Sequence, residues 1–165
     1  MNALDVMKYG NLTLLGGLKG LDQRFWTRPN VCGVWSVKDI LAHLASYELV
    51  LVEVLEWVLD ESKHLTMVEG MADGQKFNDT QVGKRRQMSP DQVLAEYRDA
   101  HARVMTLLER VPEEVRRQTG AIPWYGVEYD LEDMLAYMFY GHKSEHTAQI
   151  NVFKDLLKAE GESIS

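Results

Sequence analysis

Three histidines in this chain have the residue type and spacing to bind a metal ion. His142 and His146 stand four residues apart. On a helix turning about 100° per residue, their imidazoles therefore share one face. Such a pair is a two-ligand clamp for zinc or another borderline divalent metal. The same spacing also suits two core histidines, since buried imidazoles need hydrogen-bond partners of some kind. His43 lies far upstream between Ile40 and Tyr47. It can join the pair only if its helix meets theirs at the same level.

Three neutral nitrogen ligands would leave a divalent ion with its full charge and an open coordination position. An ion in that state lowers the pKa of bound water to about 7, or ionises a bound thiol. Zinc and nickel suit the donor set best, with cobalt and ferrous iron also compatible. Glu145 completes the string His142-Lys143-Ser144-Glu145-His146, which matches the inverted zinc-peptidase pattern H-x-x-E-H. In that reading Glu145 is the general base. The peptidase pattern needs a further acidic ligand well downstream, however, and only 19 of the 165 residues follow His146. Glu145 is therefore the weak catalytic candidate, with orienting a ligand histidine or facing solvent as its alternatives. His101, one turn from Tyr97, reads as a structural residue before a fourth ligand. His64 has no organised partner. Trp35, Trp124, Tyr125 and Tyr137 are candidates to wall a pocket, with core packing the more ordinary role.

Four amphipathic segments must position these groups, and almost nothing alternates with the period of a strand. The first spans about Ala3 to Arg24; its glycines at 10, 16, 17 and 20 call for close approach to a neighbouring helix. The second starts at Ser36, a good N-cap with Asp39 three residues on, and runs to about Ser62. Residues 63–88 form a connection too long for a tight antiparallel link, with a short helix near Phe77-Asn78-Asp79. The third helix begins at Ser89-Pro90, with Gln92 completing a capping box, and stops before Pro112. The fourth is capped by Asp130 and extends to about Lys158. Together these predict an all-α four-helix bundle occupying residues 1–165 as one domain, with the metal held at one end.

Composition excludes several classes. Net charge is −7, which argues against a nucleic-acid partner, since phosphate binding needs a basic face. The cluster Lys84-Arg85-Arg86 reads as a solvated loop or helix end. Cys32 is the only cysteine, so no internal disulfide forms, and it reads as an inert thiol. No apolar run approaches a membrane span, and the N-terminus lacks a secretory signal. These features predict a cytoplasmic protein with a small-molecule substrate and no membrane partner. Aromatic residues at bundle edges favour a homodimer.

Several stretches carry a family resemblance in order and spacing. They are W-S-V-K-D-I-L-A-H-L (Trp35 to Leu44), Phe77-Asn78, Ser89-Pro90 before V-L-A-E-Y, Pro123-Trp124-Tyr125-Gly126, and G-H-K-S-E-H-T-A-Q-I (Gly141 to Ile150). Over nearly the whole chain this pattern resembles the DinB/YfiT-like superfamily. The resemblance implies a four-helix bundle whose metal ligands are His43, His142 and His146. It also implies an activity like that of relatives using bacillithiol or mycothiol, which include S-transferases and a maleylpyruvate isomerase. A metal-dependent thiol S-transferase or detoxification enzyme with a low-molecular-weight thiol cosubstrate is the first expectation. A metal-dependent hydrolase and a non-catalytic metal-binding stress protein are the alternatives, because a fold carries its site better than its reaction.

Overall fold

The computed structural model describes residues 2–165, and the regular structure among them is helical. Helix α1 (Ala3–Leu18) is capped by the Asn2 side chain and ends earlier than its apolar spacing predicts. Gly20 adopts φ +68°, a left-handed turn that stops the helix before a short 3₁₀ turn at Gln23–Phe25. The close approach expected of its glycines is found at Gly17, where a Cβ would meet Thr147 Cγ2 at 2.6 Å.

Helix α2 (Val37–Leu59) begins with the expected cap: Ser36 and Asp39 bond each other's backbone N–H reciprocally. The long connection contains α3 (Thr66–Gly70) and α4 (Gly74–Lys84). Glu53, near the end of α2, accepts from the backbone N–H groups of Met67 and Val68 and so pins α3 in place. Helix α5 (Pro90–Arg110) carries the Ser89/Gln92 capping box. After α6 (Glu113–Arg116) and a turn-rich connection, Asp130 caps α7 (Leu131–Met134). A π-helical turn (Leu135–Gly141) then leads without a break into α8 (His142–Ala159). Helix α2 packs chiefly on α5, and α1 packs along α8 and the π turn, giving a four-helix bundle.

The apolar core falls into two clusters. One gathers Met7, Val50 to Leu55, Val104, Leu108 and Phe139; the other gathers Leu14, Ile40 to Leu44, Tyr97, Ile150 and Phe153. On all four bundle helices the chain passes from one cluster to the other, and buried polar residues stand between them. This waist holds Glu48 on α2, His101 on α5, and Lys143 and His146 on α8, with half-buried Asn11 on α1 beside it and His43 one to two turns from Glu48 along α2. The histidines therefore sit at mid-bundle, which corrects the expectation of a site at one end.

Glu48 is fully buried and pairs with Lys143, itself 1% exposed. Its other oxygen accepts from His101 Nδ1 at 2.9 Å. Burial alone would raise the Glu48 pKa, but Lys143 and His101 outweigh it and hold the carboxyl below its ordinary range. Beside them the Tyr97 hydroxyl donates to Asn11 Oδ1 at 3.0 Å. Removing one partner of such a pair strands a buried charge, at a cost of about 3–5 kcal/mol. Glu48→Gln is therefore expected to lower the free energy of urea unfolding by about that amount. The double variant Glu48→Leu, Lys143→Met should recover much of it, and a single variant as stable as wild type would contradict the ion pair.

Candidate metal centre

Local structure brings three imidazoles to one point. The capping box at Ser36 sets the start of α2, so that His43 falls two turns in on the face toward α8. Trp35 and Tyr47 flank its ring, with centroids at 4.9 and 4.7 Å. His142 comes directly after the π turn, and His146 lies one α-helical turn later. A π turn inserts one residue, rotating the downstream helix by about 100° relative to the turns upstream of it. Leu135 and Phe139 can thus point into the core while His142 and His146 turn toward His43.

His43 Nε2 lies 2.8 Å from His142 Nε2, and His146 Nε2 lies 3.0 Å from the same atom. One nitrogen from each ring falls within 4.8 Å of the others. His43 and His146 are 3% and 6% exposed, while His142 is half-buried. His142 opens onto a cleft of about 480 Å³ walled by Tyr47, Tyr137, Met138, Gly141 and Glu145.

The hydrogen-bond arithmetic favours a cation among these atoms. His146 Nδ1 lies 2.8 Å from Gln149 Oε1 and donates to it. The His142 ring donates to the Met138 carbonyl; because its Nε2 faces the other histidines, Nδ1 carries that proton. The Nε2 atoms of His142 and His146 therefore turn lone pairs toward each other, a repulsion relieved by a metal ion between them or, in the metal-free protein, by a proton on His43 Nε2 shared with His142. The His146–His142 separation lies at the short edge of the roughly 3.0–3.4 Å expected between nitrogens on metal bonds of about 2.0–2.1 Å, and the His43–His142 separation of 2.8 Å lies just below it. The donor set thus fits a divalent transition metal. Gln149 and the Met138 carbonyl are the groups that fix ring orientation, a role that imidazole ligands need.

All three histidines are held neutral. Burial, then the charges of His142 and His146, lowers His43 to about 3. Burial, then His146 and Lys143, lowers His142 to about 4. Burial also lowers His146, opposed by Gln149 and by the Glu145 carboxylate. Burial raises the Tyr47 phenol, so it stays protonated beside the His142 ring at 4.6 Å.

The remaining candidates separate clearly. Glu145 is exposed on the cleft wall, and Gln149 holds His146 in its place. His101 belongs to the Glu48 network, as its structural reading expected. His64 lies exposed in the connection, and Cys32 is half-buried at its bridge to Trp35. Trp35 walls the site and Tyr137 the cleft, whereas Trp124 and Tyr125 line a second cavity. Sequence reasoning missed Glu48, Lys143 and Gln149. Gln149 was readable from its place one turn after His146.

A helical bundle with these clustered imidazoles defines a DinB-like protein. More narrowly, residues 13–137 match the mycothiol maleylpyruvate isomerase N-terminal domain, and the chain belongs to that family. The match includes His43 and ends before His142 and His146. No curated protein matches the chain. Among solved structures it is similar to the colibactin self-resistance protein ClbS in complex with a dsDNA. That likeness has a TM-score of 0.71 and 12% identity, covering 92% of this chain and 93% of that one. The neighbour corrects the exclusion of nucleic acid drawn from net charge, because a protein of this fold is solved with DNA. Net charge averages the whole surface, whereas a duplex meets one patch of it. No helix among the described residues is long and apolar enough to cross a membrane.

The pKa shifts give the metal-free protein a pH signature. Between pH 6.5 and about 4 the unfolded chain takes up protons that folded His43 and His142 refuse. Stability therefore falls as pH drops through that window. Urea unfolding of metal-free protein should show this loss, and His43→Phe should make it shallower. Equal slopes in the two proteins would contradict burial of a neutral His43.

Proposed function

We propose that His43, His142 and His146 hold one divalent transition metal, zinc or nickel, and that the protein is a metal-dependent transferase acting on a low-molecular-weight thiol. The observation that carries this reading is the meeting of neutral Nε2 atoms, two of them with lone pairs turned toward each other, beside an open cleft. A divalent cation there supplies a positive charge and an open position, which lowers the pKa of a bound thiol. Mycothiol is the first thiol to test, because the family is named for a mycothiol-dependent isomerase.

The chain's own residues have definable parts. Gln149 and the Met138 carbonyl hold the His146 and His142 rings with Nε2 toward the centre. Trp35 covers the His43 ring, and Phe77 packs against Tyr47, limiting water on that side. The Tyr47 phenol remains protonated and can donate a hydrogen bond to an anion forming in the cleft. Glu145, exposed on the wall of the same cleft, can accept a proton released by an incoming thiol.

Double-stranded DNA is a second partner to test, supported by the ClbS complex alone. Binding to phosphates would fall steeply between about 50 and 200 mM salt. A labelled duplex that shows no mobility shift at low salt would remove this reading.

Protein purified without a histidine tag is expected to carry about one metal ion per chain, and His142→Ala, His146→Ala protein none. With mycothiol, bacillithiol or glutathione and an electrophile, only the loaded wild type should form product. Tyr47→Phe should slow turnover by about 10-fold or more while leaving metal content unchanged. Equal, negligible metal in wild type and double variant would overturn the metal site. Metal without thiol-dependent product would favour the hydrolase or the non-catalytic binder.

A further inference from the structure

Beside the histidine cleft lies a second cavity of about 510 Å³, a size suited to a small organic ligand. Its walls are largely apolar: Val50 and Val54 from α2, Met134 and Met138 from the α7–π segment, and Val68 and Met71 from the long connection. Trp124 and Tyr125 close it from the connection before α7. Met138 lines both this cavity and the cleft onto which His142 opens. The two spaces therefore meet at one flexible side chain.

Three features hold the cavity open as a built space. Glu53 accepts from the backbone of Met67 and Val68, fixing α3 above α2. Trp57 on α2 meets Trp124 edge to face at 4.8 Å, tying the later connection to the same helix. The π turn places Met138 on the boundary while the neighbouring Phe139 stays in the core. Thioether chains at three positions give the walls adaptability, since methionine fills irregular space by rotation. The charged group at the rim is Glu69, which is exposed and disfavours an anionic occupant.

We propose that this cavity binds the uncharged hydrocarbon or aryl arm of the substrate whose reactive end sits beside His142. The substrate class is thus an apolar electrophile with a polar or metal-seeking head, and the thiol occupies the open cleft. This assignment rests on the metal-dependent transferase reading for the head group, while the cavity's affinity for an apolar chain stands on its own lining. Ala72 lies on the cavity wall and is exposed, so a larger side chain there fills the space without disturbing the core.

The test has two arms. In the first, 1-octanol is titrated into metal-free protein by calorimetry. Saturable binding of one molecule to wild type, weakened at least tenfold in Ala72→Phe, is the expected result. No saturable binding, or equal binding to both proteins, would overturn the proposal whatever the metal does. In the second, n-alkyl hydroxamates of increasing length compete for zinc-loaded protein. Affinity should rise about two- to fourfold per added methylene until the cavity is full. Ala72→Phe should abolish that rise but leave acetohydroxamate binding unchanged. A flat series in wild type would sever the cavity from the site. Failure of every hydroxamate, with octanol still bound, would instead count against the metal reading and the head-group assignment.

Discussion

Ionisable groups buried halfway along a helical bundle must find partners inside the bundle, because water cannot reach them there. Here that constraint falls on one layer. Glu48, Lys143, His101, His43 and His146 are all less than a tenth exposed, and they separate two apolar clusters that could otherwise have been one. Glu48 answers the constraint for Lys143 and His101 by accepting from both. The Glu48–Lys143 pair also joins the two helices that carry the three clustered histidines. It therefore fixes how α2 and α8 face each other, and the spacing of His43 from His142 depends on it.

The imidazoles answer the same constraint differently. They remain neutral, and the second nitrogens of His142 and His146 are engaged by Met138 and Gln149. Their remaining lone pairs point inward, at a half-buried cleft. The asymmetry of the waist is its functional content: on one side charges cancel, and on the other the Nε2 lone pairs of His142 and His146 face each other. The π turn makes the second side possible. An unbroken α-helix from Leu131 would carry the Leu135–Phe139 face and the His142–His146 face out of phase with the groups each must meet.

Much of this could be read in the sequence. The caps at Ser36, Ser89 and Asp130 are local chemistry, and the helices start where those residues place them. The spacing of His142 and His146 likewise reports a shared face directly. The end of α1 was harder, because leucines continue to Leu21 while the backbone at Gly20 has already turned. The π turn leaves no compositional mark, since no residue in Leu135–Gly141 requires it; tertiary contacts select it. Glu48 and Lys143 were invisible for a related reason. A charged residue on a helix defaults to solvent, and only a partner from another helix makes burial tolerable. The acidic net charge of −7 describes the whole surface and does not exclude a local patch that meets phosphate, and a similar fold is solved in complex with a dsDNA.

The central claim concerns the occupant of the space among the three Nε2 atoms, and X-ray absorption at the metal edge of zinc-loaded protein addresses it directly. The account predicts an inner shell with three imidazole nitrogens at about 2.0–2.1 Å and at least one further light atom or exogenous thiol sulfur. Loss of the imidazole scattering in the His142→Ala, His146→Ala protein belongs to the same prediction. A shell of oxygens alone, or an imidazole signal that survives in that double variant, would contradict it.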